Sequence, residues 1–236
     1  MKRIYFIALT AAIICTSAIS PATAQQATSY QVEYQAPQNY KDFRFAIGGG
    51  YAFRLGKVEK TGNSQLDDMN NQLRHGFTVD ADAQYFFKES WGLGLNTNYY
   101  SAGTSGDNVT IPELGQSANY KETQSFLYVG PSFVGRNESE KFLLVTNIGV
   151  GPLFFNSDMN LNGVNLNGSK TTIGINAGIA GEYKVSSKTG LGLKLSYVLG
   201  TIDAINVEGQ NLQLSSDEKI SVSNLMVTAF ISFRSW

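Results

Sequence analysis

The chain has little of what most enzymes and nucleic-acid-binding proteins use. It contains one histidine and one cysteine among 236 residues, and its 18 Lys and Arg nearly balance its 19 Asp and Glu. This balance indicates no strongly basic surface, so we expect no nucleic-acid partner. Proline is scarce as well, with 5 residues, whereas 24 Gly, 14 Phe and 12 Tyr are present. Such a composition favours strands and tight turns over helices.

The first 24 residues have the pattern of an export signal. Lys2 and Arg3 supply a positively charged start, and residues 4–19 are mostly apolar. Residues 22–24, Ala-Thr-Ala, then form a small-x-small cleavage pattern. We therefore expect the mature chain to begin at Gln25.

The only cysteine lies inside this predicted signal. Cys15 follows Ile14, whereas lipidation requires a small residue at that position, so we expect Cys15 to be removed with the signal. The mature protein would then have no thiol, no disulfide and no cysteine-ligated metal. The predicted organisation is a signal peptide over 1–24, a flexible polar leader over 25–41 and a β-barrel domain over 42–236.

Beyond the leader, apolar and polar residues alternate with a period of two, which is typical of strands with one apolar face. The eight predicted segments cover about 43–55, 75–88, 91–103, 120–134, 141–155, 170–184, 191–204 and 220–233. The fourth and fifth have large apolar residues in both phases, so their faces remain ambiguous. The pattern predicts an all-β fold, an up-and-down antiparallel barrel of eight strands.

The links between these segments alternate in length. The long links are 56–74, 104–119, 156–169 and 205–219, and the short ones are 89–90, 135–140 and 185–190. In an up-and-down barrel, alternate links lie at the same end, so one rim carries four long loops and the other carries short turns. Transmembrane barrels show this asymmetry.

The position of aromatic residues favours a lipid-facing apolar surface over a buried soluble core. Rings concentrate at the strand ends that carry the short turns, for example Phe43, Trp91 and Tyr183, whereas mid-strand residues are aliphatic or small. A bilayer interface selects aromatic girdles around an aliphatic band. The strands are therefore expected to cross a membrane and to contact its lipid.

The opposite, polar face is expected to line the lumen. Its charged members recur in phase and are predicted to form a buried polar network: Arg44, Arg54, Asp80, Asp82, Glu182 and Lys194. Two pairs are predicted across neighbouring strands, Glu182 with Lys194 and Arg54 with Asp80. The same pattern would be solvated on a soluble barrel, so it is consistent with the membrane interpretation without deciding it.

The sequence ends in Ala-Phe-Ile-Ser-Phe-Arg-Ser-Trp over residues 229–236. This end resembles the last strand of bacterial outer-membrane proteins, which finishes in an apolar strand with a terminal or near-terminal aromatic. The resemblance implies that the outer-membrane insertion machinery recognises this strand, with Phe230, Phe233 and Trp236 as its aromatic residues. Phe233 is in phase with the apolar face, and Trp236 is not.

A central hairpin carries a second resemblance. Residues 128–133, Tyr-Val-Gly-Pro-Ser-Phe, and 148–154, Ile-Gly-Val-Gly-Pro-Leu-Phe, are similar to the central hairpin of the small OmpA/OmpX-like barrels. The likeness covers 43–236 as architecture. It implies a closed barrel in the outer membrane of a Gram-negative-type bacterium.

Candidate catalytic and metal-binding residues are few. His75, the single histidine, is predicted at the outer rim without a serine two or three positions away, so no nucleophile and base are paired there. The Asn/Gly-rich segment 158–168 has one carboxylate, Asp158, whereas a calcium loop needs several. We expect no enzyme activity, no cofactor and no metal.

The sequence thus predicts a non-enzymatic outer-membrane barrel with a side-chain-filled lumen. It would act in membrane structure or surface interaction, with four long external loops meeting an unidentified extracellular partner. Two alternatives stay open. One is a narrow pore for small solutes, and the other is a soluble periplasmic barrel that binds an apolar ligand inside.

Overall fold

The computed structural model describes residues 42–56, 63–111, 116–202, 204–207, 210–213 and 220–236. The predicted signal peptide and leader lie outside these residues. Within the described part, the elements are β1 Asp42–Arg54, α1 Ser64–Gln72, β2 His75–Phe86, β3 Trp91–Ile111, β4 Gln116–Glu138, β5 Phe142–Leu161, β6 Val164–Lys184, β7 Thr189–Leu199, β8 Thr201–Ile202, β9 Ala204–Val207, β10 Gln210–Gln213, β11 Ile220–Ser221 and β12 Asn224–Arg234. Among the described residues, no helix has both the length and the hydropathy needed to span a bilayer.

Eight of the strands close into a ring. Each of β1 to β6 pairs antiparallel with the next strand, and β12 pairs with both β7 and β1. The backbones of β1 and β12, whose pairing closes the ring, approach each other closely at Gly50. A Cβ atom at this position would lie 2.0 Å from the carbonyl oxygen of Val227. Glycine at this position allows the two backbones to pair. The prediction of an all-β, eight-stranded antiparallel barrel is confirmed.

Side chains alternate between the outside and the lumen along every long strand. Outward aliphatic residues are widely exposed, such as Ile173 at 74% and Leu193 at 65%. Inward residues on the same strands, such as Asn176 and Lys194, are buried. A surface of exposed aliphatic side chains on all sides of a closed ring is the arrangement that lipid requires.

The structure resolves the two ambiguous segments. On β4, Phe126 and Tyr128 point into the lumen, and on β5, Leu153 and Phe155 do the same. Both faces of these strands are apolar because one meets the outside and the other fills the interior. The alternation of apolar and polar residues therefore does not distinguish the outward face of these strands from the inward face.

The predicted long loops at 104–119 and 156–169 are wrong, since both segments are mainly strand. β3 extends to Ile111 and β4 begins at Gln116, and β5 and β6 meet at the turn of Asn162 and Gly163. Both turn residues have positive φ, 50° and 88°, as a two-residue type I′ turn requires. The link 56–74 contains α1, whose N-cap Asn63 accepts a hydrogen bond from the backbone of Gln65.

Outward aromatic residues form two rings. At the end with the short turns, which we call the turn end, the ring contains Phe43, Tyr85, Trp91, Phe133, Phe142, Tyr183 and Phe233; at the other, the hairpin end, it contains Tyr51, Phe77, Tyr99 and Phe154. The second ring was not predicted. On β3, one membrane crossing of about 9–11 residues separates Trp91 from Tyr99. The rings therefore mark the two interfaces of the membrane-spanning band.

Beyond the hairpin-end ring, four strands continue outward as a sheet. This extension consists of residues 101–111, 116–126, 155–161 and 164–172. The pairing of β4 with β5 and of β5 with β6 shows no register shift from the barrel to the tip. The extension is thus a direct continuation of the barrel wall.

Candidate functional site

The lumen is filled by layers of side chains, and the layer nearest the hairpin end is apolar. Its buried members are Ala52, Tyr100, Ala102, Phe126, Tyr128, Leu153, Phe155, Val198, Ile202, Val222 and Met226. Phe126 stacks on Tyr100 at 5.0 Å and on Phe155 at 5.4 Å between ring centroids. The Tyr100 hydroxyl donates to the carbonyl of Leu73 at 2.8 Å, which ties the end of α1 to this outer apolar layer.

Below it lies a polar belt at mid-barrel height. The Lys194 ammonium group contacts Asp80 at 2.8 Å and Asp82 at 2.7 Å, although these carboxylates are on β2 and the lysine is on β7. All three side chains are almost fully buried. Charges at this depth are tolerable only when they are paired and hydrogen-bonded.

A chain of asparagines continues the polar belt from these ions. Asn96 donates to Asp82, and Asn147 donates to Asn96 at 3.3 Å. Asn147 also donates to Asn176 at 2.6 Å, and Asn176 donates to Asn98 at 3.1 Å. Side chains from four strands are therefore connected across the lumen.

A second ionic group lies nearer the turn end. Arg44 donates two hydrogen bonds to one carboxylate oxygen of Glu182, at 2.8 and 2.9 Å, and a third to Gln84 at 2.9 Å. Arg234 lies 3.5 Å from the other oxygen of Glu182. This group has one more cation than anions, whereas the group of Lys194 has one more anion than cations. The two excess charges offset each other.

Both cross-strand pairs predicted from the sequence are wrong. Glu182 is opposite Gly192 in the ladder, and Lys194 is opposite Ala180. The hairpin is centred one residue earlier than residue 188, because its turn begins at Val185. Because of this difference, Lys194 is two residues away from the position opposite Glu182 on β7. Each of the two charged side chains instead contacts a partner on another strand.

The pair of Arg54 with Asp80 is not formed either. Arg54 lies at the hairpin end, where it donates to the carbonyl of Ser221 at 3.0 Å and to the side chain of Gln124. Its guanidinium also lies 5.5 Å from the ring centre of Phe126. The register of β1 with β2 places Asp80 opposite Gly48, deeper in the barrel.

A second apolar layer closes the turn end. It contains Ala46, Phe86, Val134, Leu143, Val145, Ala180 and Phe230, with Trp236 packed against it. The guanidinium of Arg136 lies 4.6 Å from the ring of Trp236 and 4.5 Å from the ring of Phe86. The two rings meet edge to face at 6.0 Å, and the indole N–H of Trp236 donates to Glu138. Of the three aromatics predicted for the insertion signal, Phe233 faces outward, Phe230 lines the lumen and Trp236 covers its end.

Glu138 lies outside the spanning band, at the turn end. Burial raises the pKa of its carboxyl. Hydrogen bonds from Lys184 and Trp236 and the positive charge of Arg136 lower this pKa by more than burial raises it, so the pKa is below its ordinary value. The ionised carboxylate is therefore the form that holds Trp236 in place.

The inner face of the extension carries a polar network above the outer apolar layer. Glu122 accepts hydrogen bonds from Tyr120, from Gln124 at 2.6 Å and from Ser157 at 2.9 Å. Burial and the neighbouring Glu122 charge raise the pKa of Tyr120 well above its ordinary value, so this hydroxyl stays protonated and donates.

His75 is on the outer face at the hairpin-end interface. Its Nδ1 is hydrogen-bonded to the hydroxyl of Tyr51, and its ring lies 5.1 Å from that of Phe53. In the residues that the structure describes, no group of three or more His, Cys, Asp or Glu side chains has the arrangement of a metal site.

Sequence reasoning missed three lumen residues. Arg234 is in phase with the polar residues of β12, which could have identified it. Asn147 and Arg136 are on the two ambiguous strands, where no phase was assigned. Arg136 pairs with Asp42 at 2.6 Å and joins the first and fourth strands at the turn end.

Comparison with known proteins is consistent with this architecture. A family model described as "Outer membrane protein beta-barrel domain" matches residues 9–219. A major outer membrane protein of Thermus thermophilus has a similar fold, with a TM-score of 0.54 and 12% identity over 82% of this chain and 99% of that chain.

Two further solved structures align at lower scores. OprG of Pseudomonas aeruginosa aligns with a TM-score of 0.48 and 13% identity, over 84% of this chain and 98% of that chain. Ail of Yersinia pestis aligns with a TM-score of 0.44 and 13% identity, over 82% and 99%. No curated protein matches in sequence. Because the family model spans most of the sequence, the chain belongs to the outer membrane protein β-barrel domain family and is located in the outer membrane.

Proposed function

We propose that the protein is a sealed, non-enzymatic barrel that acts in membrane structure and in surface contact through its extension. The observation that carries this proposal is the layered lumen, in which an ion-paired polar belt lies between two apolar layers. Eight strands enclose only enough room for side chains, whereas porins that hold an aqueous channel have about 16–18 strands.

The layers oppose ion passage in different ways. In the outer apolar layer, the stacked rings of Tyr100, Phe126 and Phe155 present apolar surface, which cannot replace the hydration water of an ion. In the polar belt, Lys194 is already held by two carboxylates. A passing ion would have to separate these pairs, which is costly in a buried site.

The position of His75 supports a non-enzymatic role. Its ring nitrogen is hydrogen-bonded to Tyr51 and its face packs near Phe53, among the outward aromatics of the interface. Neither neighbour is a serine, threonine or cysteine, the nucleophiles that a histidine base usually activates.

The proposal also includes three partners: the membrane lipid, the insertion machinery and a partner outside the cell. Outward residues of the spanning band contact the membrane lipid, and the insertion machinery recognises β12 through the outward Phe233. The extension, which replaces two of the four predicted loops, meets the partner outside the cell.

Planar-bilayer recordings with the purified, mature protein test the sealed barrel. We expect no stable unitary conductance, while a porin in the same membrane conducts. Insertion is verified in parallel by the mobility shift of the folded barrel on gels before and after boiling. Frequent, ion-selective openings of the wild type would overturn the sealed barrel and favour the narrow pore.

A further inference from the structure

The outward surface of the extension differs in composition from the wall below it. The last row with large apolar residues contains Leu127 on β4 and Phe154 on β5, with Thr171 beside them on β6. The next row outward contains Ser125, Asn156 and Ser169. Further out, the rows are Thr123, Asp158 and Asn167, then Lys121, Asn160 and Asn165. We call these nine outward residues of the extension the polar face.

The polar face is regular and has no net charge. Its three strands pair without a register shift, so side chains repeat at about 4.8 Å between strands and roughly 7 Å along them. Its two charged residues, Lys121 and Asp158, are of opposite sign, so the polar face has no net charge. The other seven residues are amides and hydroxyls.

The direction of the polar face follows from its continuity with the lipid-facing wall. No bulge interrupts β4, β5 or β6 between the lipid-facing wall and the polar face. The side of each strand that contacts acyl chains within the membrane is therefore also the side that contacts the headgroup layer beyond it. It therefore points sideways into the headgroups of the surrounding outer leaflet. In a Gram-negative outer membrane, those headgroups are the saccharides of glycolipids.

The chemistry of the polar face matches this layer. Sugar hydroxyls both donate and accept hydrogen bonds, as do the side-chain amides of Asn and the hydroxyls of Ser and Thr. Short side chains lose little conformational freedom when they bind, in contrast to Lys or Glu. Exposed members such as Asn156 and Asn167 make no side-chain hydrogen bond to other described residues, so their amides are available.

We propose that the polar face binds the saccharide headgroups of glycolipids in the surrounding outer leaflet. The lipid-facing wall and the polar face then form one continuous surface, which contacts the acyl chains below and the sugars of the same lipids above. This inference rests on the membrane orientation of the proposed function but not on the sealed lumen.

The test measures the temperature at which the folded barrel loses its gel mobility in phosphatidylcholine vesicles of two compositions. One contains glycolipid with its core saccharide, and the other contains the same glycolipid stripped to lipid A. We expect the wild type to melt about 2–6 °C higher with the saccharide present. The variant Thr123→Ala/Asn156→Ala/Asn167→Ala should lose this difference.

A matched control removes the same chemistry from the opposite end, with Asn137→Ala/Ser187→Ala, and should keep the full difference. Equal melting temperatures of the wild type in the two vesicles would overturn the proposal, as would an undiminished difference in the triple variant. A full shift produced by soluble, deacylated saccharide alone would overturn the assignment to membrane glycolipid. A conducting wild type that still shows the saccharide shift would contradict only the proposed sealed lumen.

Discussion

Replacement of Lys194 by methionine should be among the most destabilising single substitutions in the barrel. Its ammonium group lies 2.8 Å from Asp80 and 2.7 Å from Asp82. At an effective dielectric constant of about 20, each contact corresponds to roughly 6 kcal/mol of attraction before desolvation is subtracted. Methionine matches the lysine side chain as far as Cε and lacks the ammonium group.

The loss of stability comes mainly from the two carboxylates that remain buried in the lumen. Breaking a buried ion pair by removing one partner costs roughly 3–5 kcal/mol, because the other charge stays buried without compensation. Here two carboxylates lose the same cation, so we expect the upper end of this range, about 5 kcal/mol. Neutralising them as well, in Lys194→Met/Asp80→Asn/Asp82→Asn, should recover most of the loss.

Urea unfolding of the barrel in lipid vesicles measures these differences in the free energy of unfolding. Lys188→Met, in an exposed turn, is the matched control and should change stability by less than about 0.5 kcal/mol. A Lys194→Met variant as stable as this control would refute the reasoning. So would a triple variant as unstable as Lys194→Met, because the cost would then lie in packing and not in unpaired charge.

Three further predictions concern other parts of the chain. Arg44→Met should lower the free energy of unfolding by about 3 kcal/mol, the low end for a buried pair, because Glu182 keeps Arg234; a loss under about 1 kcal/mol in the same urea assay would contradict it. Trp236→Ala should cost about 1–2 kcal/mol through its lost cation–π and packing contacts, and unchanged stability would show that the turn end does not need this cap. The intact mass of the exported protein should correspond to a chain that begins at Gln25, and a mass that includes Cys15 would exclude this processing.

Much of the fold could be predicted from the sequence, because alternation is unambiguous when a strand separates lipid from polar groups. β1, β2, β3, β6 and β7 show this pattern. It fails on β4 and β5, whose inward residues belong to the apolar layers of the lumen. Strand length was underestimated for the same reason: above the membrane, the outward residues become polar, and a polar strand such as 116–125 has the composition of a loop.

The inward position of charged residues could also be predicted, but their partners could not. Pairing in a closed barrel depends on which strands face each other across the lumen, and a hairpin argument considers only adjacent strands. Lys194 therefore reaches Asp80 on the opposite wall, and Glu182 reaches Arg44. A misplacement of the turn by one residue was enough to suggest a pair that does not form.

The central claim, a lumen filled and sealed at both ends, is tested most directly by thiol accessibility. Ser196 points into the lumen and is 1% exposed, Ser169 is on the extension and Ser187 is in a turn at the other end. Each is replaced by cysteine in the mature protein, and labelling by a small water-soluble maleimide is timed in the folded barrel. We predict rapid labelling of Ser169→Cys and Ser187→Cys, and no labelling of Ser196→Cys until the barrel is unfolded. Labelling of Ser196→Cys in the folded barrel at a rate like that of the two exposed sites would contradict the sealed lumen.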